Sequence, residues 1–263
     1  MSFLKSGLRV LLVLSIVFLI LQSVSLAYGW GYKKEVPNQP PEVGKYGEIL
    51  REHGGYYIDD SREKFVYLTF DNGYEAGYTV DILDVLEEEG VPATFFVTGH
   101  YVKSASEIVK RMADDGHIIG NHSYHHHDFT SLSKEKYRQE LADLDRAVEA
   151  VTGIEKLQYV RPPRGVFNEQ TIQWGNELGY IHMFWSVAFV DWHTDQKGWE
   201  SAYEQVMDQM HPGAIILLHT VNEDNALALS HLIKELKNQG YTFKSLDDLV
   251  IGDYFYDPLS QVD

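Results

Sequence analysis

"LEEEGVPATFFV", Leu86 to Val97, decides the fold. An acidic, helix-like run ends at Gly90, and an unbroken apolar run follows. Glycine suits the left-handed position that closes a helix. A short apolar run without polar alternation suits a parallel strand buried on both faces. The same phrase returns in "RMADDGHIIG" (Arg111–Gly120), "GNELGYIHMFW" (Gly175–Trp185) and "LKNQGYTF" (Leu236–Phe243), around Gly116, Gly179 and Gly240. Between them, "SKEKYRQELADLDRAVEAVTG" (Ser133–Gly153) sets Tyr137, Leu141, Leu144, Val148 and Val151 on one helical face. Glu140, Asp143 and Glu149 fall mostly on a solvated side. "AIILLHT" (Ala214–Thr220) reads as a strand with a polar tip, followed by a helix around Leu227–Gln239. Strand and helix alternating along the chain predict an α/β fold, a parallel sheet with helices outside. A closed or partly closed barrel fits the length; a doubly wound open sheet is the alternative. No strand is followed by G-x-G-x-x-G, which argues against a dinucleotide fold.

Lys5 and Arg9 precede the apolar run "VLLVLSIVFLIL" (Val10–Leu21), and Ser25 and Ala27 close it with small residues. A basic start, a short apolar stretch and an A-x-A-like end predict an export signal over residues 1–27. An uncleaved membrane anchor is the alternative, and the only route to membrane association. Residues 28–63, with Pro37, Pro40 and Pro41, read as an extension leading into or packing over a domain at 64–263. The chain has no cysteine, so thiolate metal sites, Cys nucleophiles and disulfides are excluded. A formal net charge of -17 argues against nucleic acid as a partner, because phosphate contact needs a basic surface.

The unusual polar residues gather at strand ends. Asp71 and Asn72 follow "VYLTF", His122 follows "HIIGN", Arg161 follows "LQYV", Asp191 follows "SVAFV" and His219 follows "AIILL". In a parallel α/β barrel these ends open on one face, where active sites form. "GNHSYHHHDF" adds His126, four positions after His122, with His125 and His127 alongside. Neutral imidazoles bind zinc-like divalent metals, and one helical turn here would set His122 and His126 on one side. A solvated histidine-rich loop is the plain alternative.

In order along the chain, "TFDNG", "HSYHH", "RPPRG", "AFVDW" and "LLH" resemble the five motifs of the polysaccharide deacetylase family, carbohydrate esterase family four with the NodB-homology fold. The likeness runs from about Lys64 to the C-terminal region. "TFDNGYE" with "RPPRG" most resembles members that de-N-acetylate muramic acid residues of spore cortex, in muramic δ-lactam formation. The resemblance implies a distorted (β/α) barrel, peptidoglycan glycan strands as substrate, and metal-assisted removal of acetyl from an N-acetyl sugar. It implies Asp71 as general base, Arg161 holding it, His219 as general acid supported by Asp191, and His122 and His126 as metal ligands. Leu217 and Trp192 would shape the acetyl pocket. An activated water, a stabilised oxyanion and a proton for the leaving amine are what amide hydrolysis needs. The backbone N–H of Arg164 is the first donor after Pro162 and Pro163, which have none.

Three residues depart from the family pattern. Asn72 stands where the family has a metal-binding Asp, Ala188 where it has the first Asp of D-x-x-D-W, and Arg164 where it has Tyr. A neutral amide beside two neutral imidazoles implies a weakly held divalent metal. Arg164 suits a carboxylate on the substrate, such as the lactyl group of muramic acid. Ala188 suggests only a lost supporting contact. A non-catalytic sugar-binding relative, a deacetylase of another N- or O-acetylated polysaccharide, and an unrelated barrel metallohydrolase remain as alternatives.

Overall fold

The computed structural model describes residues 26–256 apart from 34, 35, 37 and 194–196. The predicted export signal therefore lies almost wholly outside the described residues. No helix among them is long and apolar enough to cross a membrane.

Seven parallel strands form one sheet: β2 (Phe65–Asn72), β3 (Ala93–Val97), β4 (Ile118–Asn121), β5 (Tyr159–Val160), β7 (Ile181–His182), β8 (Ala214–His219) and β9 (Thr242–Phe243). The order is β7-β5-β4-β3-β2-β8, with β9 paired to the first residues of β2. Helices Thr79–Glu89, Ser106–Asp114, Lys134–Thr152, Glu169–Glu177, Trp199–Met207 and Glu223–Asn238 connect the strands. Gly90, Gly116, Gly179 and Gly240 all have positive φ, at 61°, 82°, 80° and 82°, so each recurring phrase turns where the left-handed residue was expected.

The sheet curls because one stretch serves both of its edges. Residues 181–182 pair with β5, and the chain then runs on to bridge β8 at Val187–Ile216. This gives the distorted barrel rather than an open doubly wound sheet. Alternation along β2 sorts its side chains by face. Val66, Leu68 and Phe70 join the large core beneath the helices. Tyr67 joins Phe96, Tyr159, Met183 and Ile215 on the inner side of the curl, and the same period puts Thr69 and Asp71 in that inner row.

Two expectations need correction. Glu140 is buried rather than solvated. It stands three residues after Tyr137 and four before Leu144, so it shares the apolar face. The segment 122–128 is not a helical turn. Ser123 and His126 have φ of 69° and 59°, and such left-handed residues turn the chain without the intrahelical bonds of a helix.

Residues 28–63 are more ordered than their irregular pattern suggested. They contain a two-residue strand β1 (Tyr28–Gly29) and the helix Lys45–Glu52. Tyr46, Ile49 and Leu50 share one face of that helix, but two turns are shorter than the window over which a period is read. β1 pairs antiparallel with β6 (Val166–Phe167). Trp30 donates through Nε1 to Trp185 O at 3.0 Å and through its backbone N–H to Gly165 O at 2.8 Å. The extension thus braces the loop that carries Arg164.

Candidate active site

The strand ladders assemble the site. On neighbouring strands, Asp71 of β2 registers against His219 of β8. His122 donates its backbone N–H to Val97 O at 3.0 Å, and Arg161 donates its own to Asn121 O at 2.9 Å. The ends of β2, β4, β5 and β8 therefore converge on one mouth.

Arg161 is fully buried, with its guanidinium 4.1 Å above the Phe96 ring. Nη1 donates to Asp71 Oδ1 at 2.8 Å and Nη2 to Thr69 Oγ1 at 2.9 Å. The backbone oxygens of Met183 and Phe184 accept from Nε and Nη2 at 3.1 and 3.2 Å. Four bonds from three nitrogens hold the planar fork in one orientation. Burial raises the Asp71 carboxyl, but the charges of His122, Arg161 and His219 and the Arg161 hydrogen bond outweigh it, leaving Asp71 below its ordinary value.

His219 is held from the other side. Its Nδ1 donates to Asp191 Oδ1 at 2.7 Å, and its backbone N–H donates to Asp191 Oδ2 at 2.7 Å. Asn225 Nδ2 donates to the same Oδ2 at 2.6 Å and to His219 O at 3.0 Å. Burial lowers the imidazole, but the hydrogen bond and charge of Asp191, and then Asp71, outweigh it and raise His219 above its ordinary value. The site thus pairs a carboxylate whose ionised form is favoured with an imidazole whose protonated form is favoured. Trp192 packs its ring edge-on to His219, with centroids 5.2 Å apart, and Leu217 precedes His219 by two residues in the same inner row of β8.

His122 Nδ1 donates to Arg161 O at 2.9 Å, which fixes the tautomer and leaves Nε2 as a lone pair. That Nε2 faces Asp71 Oδ2 at 3.5 Å, so a proton or a cation between them would be attracted by both. The His126 ring meets the His122 ring edge-on at 4.9 Å. Burial lowers both imidazoles, aided in His126 by the charges of His122 and Arg164. Asn72 donates through Nδ2 to Thr220 Oγ1 at 2.7 Å, while its buried Oδ1 has no hydrogen-bond partner. The unpartnered Asn72 Oδ1 is an oxygen free to meet a cation, and His122 and His126 offer imidazole nitrogens of the kind that bind one.

Arg164 lies at the rim, 60 % exposed, with Nη2 3.5 Å from Asp128 Oδ2. Ala188 finds its partners in the extension and beyond: its backbone N–H donates to the Tyr32 hydroxyl at 2.7 Å, and its carbonyl accepts from Gln209 Nε2 at 2.9 Å. Beside His126, a groove of about 720 Å³ opens between Tyr74, His100, Lys103 and Tyr124.

Sequence reasoning missed Thr69, Thr220, Asn225 and Glu140. Only Glu140 left a signal, its place on the apolar helical face. The other three are small polar residues whose roles depend on partners in distant strands.

A curled parallel sheet that gathers a carboxylate and an imidazole at one mouth suits a hydrolase. The model of the polysaccharide deacetylase family matches residues 59–182, and the chain belongs to that family and is an enzyme of it. It is 51 % identical over 223 residues to the peptidoglycan-N-acetylmuramic acid deacetylase PdaA of Bacillus subtilis, covering 84 % of this chain and 85 % of that one. The solved structure of B. subtilis PdaA, a family 4 carbohydrate esterase, superposes with a TM-score of 0.85 at 49 % identity, over 87 % of this chain and 99 % of that chain. An uncharacterised 30.6 kDa protein of Geobacillus stearothermophilus is 54 % identical over 231 residues, 87 % of each chain.

Proposed function

We propose that this chain removes the N-acetyl group from N-acetylmuramic acid residues of peptidoglycan, on the cell-wall side of the membrane after export. The observation that carries the reading is the Asp71–His219 pair, a carboxylate held low and an imidazole held high on adjacent strands.

Asp71 takes a proton from water as its oxygen attacks the acetyl carbonyl carbon. The C–N bond then breaks, and His219 gives its proton to the leaving amine. The products are acetate and a free amine on the sugar. Arg161 keeps Asp71 ionised and oriented, and Asp191 keeps His219 protonated and oriented. His122, His126 and Asn72 would hold a divalent zinc-like cation, which supplies charge to water and carbonyl when bound. With no carboxylate in that set, the cation is held weakly.

The exposed Tyr74 and Trp192 flank the site and suit the flat faces of sugar rings. Arg164 on the rim suits the carboxyl of the lactyl substituent, partly screened by Asp128. The freed amine of muramic acid is the group from which a δ-lactam closes, so the chain supplies the amine for that ring. A sugar-binding protein without catalysis needs no opposed acid and base, and their retention favours the enzyme.

The test is mass spectrometry of muropeptides incubated with the purified chain, with and without added zinc. Loss of acetyl from muramic residues is expected, abolished in Asp71→Asn. Intact acetyl groups in all samples would refute the reading. Arg164→Tyr should reduce the preference for muramic over glucosamine residues; an unchanged preference would remove Arg164 from recognition.

A further inference from the structure

Among the described residues, His125, His127 and Glu140 have ligand atoms that all fall within 4.8 Å of one another. The deacetylation chemistry uses none of them. We propose that they form a second divalent-metal site of the zinc class, at the surface, which ties the histidine loop to the helix Lys134–Thr152.

Glu140 is built as a ligand. Its Oε1 accepts from His125 Nδ1 at 2.7 Å and faces His127 Nδ1 at 3.3 Å; a metal would displace the proton on each nitrogen that binds it, releasing it to solvent. Its Oε2 is occupied separately, by the Ser123 hydroxyl at 2.7 Å and the His125 backbone N–H at 2.8 Å. Those two donors fix the carboxylate without competing for Oε1, as outer partners fix metal ligands elsewhere. The two imidazole rings stack, 5.2 Å apart and 19° from parallel, so both Nδ1 atoms approach from one side.

Exposure favours an open site. The rings are 55 % and 56 % exposed, while the carboxylate is 9 % exposed. The buried anion anchors the ion, and water completes the shell. Zinc bonds of about 2.0–2.2 Å set tetrahedral donors roughly 3.3 Å apart. The His127 pair already has that spacing. The His125 ring must move outward by about 0.6 Å to reach it, a small rotation for an exposed side chain. Two imidazoles and one carboxylate suit zinc, nickel or copper rather than calcium. This set also neutralises one charge of the dication, which Asn72, His122 and His126 do not.

The consequence is mechanical. His126 sits between two of the ligands, so an ion on the outer face restrains the residue that turns toward the cleft. The proposal does not rest on the deacetylase reading.

Zinc titration by calorimetry tests it, on the full chain carrying His122→Ala to break the cleft pair. That chain should bind about one zinc per molecule and melt at higher temperature with zinc present. Adding His127→Ala, or His127→Gln, which keeps a donor for Glu140, should weaken binding by at least about tenfold, or ~1.4 kcal/mol. The melting temperature without zinc verifies that these variants are folded. A His122→Ala chain that binds no zinc would put the metal in the cleft and overturn the proposal. Unchanged affinity in both folded His127 variants would overturn it as well.

Discussion

Asp191→Asn isolates what holds the proton on His219. The Asp191 carboxylate accepts from His219 Nδ1, the His219 backbone N–H and Asn225 Nδ2, all at 2.6–2.7 Å. Its side chain is 1 % exposed, so little solvent screens it. A hydrogen bond to a charged partner contributes about 1.5–3 kcal/mol. Its loss therefore lowers the His219 pKa, and about 1.4 kcal/mol corresponds to a tenfold change. Burial, which already opposes the imidazolium, then acts without its counterweight. The sign for activity follows directly. His219 must be protonated to release the amine, so activity is lost as pH rises through its pKa. In the wild type that alkaline arm lies above the ordinary histidine range; in Asp191→Asn it moves to lower pH. The ratio of wild-type to variant rate should grow by about ten- to a hundredfold from the acid plateau to the alkaline arm. The side-chain amide of the variant would also turn its N–H groups toward donors, leaving one unsatisfied at about 1–3 kcal/mol, so the melting temperature should fall too. The assay is acetate release across pH. A rate ratio constant with pH would refute the reasoning, since it would mean that Asp191 does not set the His219 proton.

Other substitutions probe separate parts. Asp71→Asn should lower kcat by about 10²–10⁴-fold and, by leaving buried Arg161 without its anion, lower stability by about 3 kcal/mol, read from acetate release and thermal melting. Asn72→Asp should tighten metal binding in the cleft by at least about tenfold, or ~1.4 kcal/mol, measured by competition with a chelator; the Thr220 hydroxyl can turn to donate to the new carboxylate. A Cβ on Gly120 would lie 2.4 Å from Phe96 Cδ1, beneath Arg161. Gly120→Ala should therefore cost about 1–3 kcal/mol in denaturant unfolding and reduce activity through the displaced Arg161.

Much of this was legible in the chain. Gly90, Gly116, Gly179 and Gly240 marked helix ends because few other residues tolerate positive φ. Asp71, His122, Arg161 and His219 were legible because each ends an apolar run, and parallel strands bring their ends together. Less was visible where one residue's role depends on distant partners. Tyr32 meets Ala188 across the fold, and no local pattern announces that pairing. The turn from His122 to His126 was misread because spacing of four suggests a helix. Here the chain doubles back through two left-handed residues instead. Glu140 shows the opposite error: its charge hid a position that its helical phase made plain.

The register of Asp71 against His219 has a further consequence. Neighbouring strands are held about 4.8 Å apart by their hydrogen bonds, so the separation of these two residues is a property of the sheet. A loop that lengthens, shortens or changes its residues cannot alter it. Tyr74, Arg164 and Trp192 all lie beyond strand ends, where insertion and replacement leave the ladder intact. Relatives on this scaffold can therefore diverge in the sugar they accept while inheriting the same backbone spacing of these two residues.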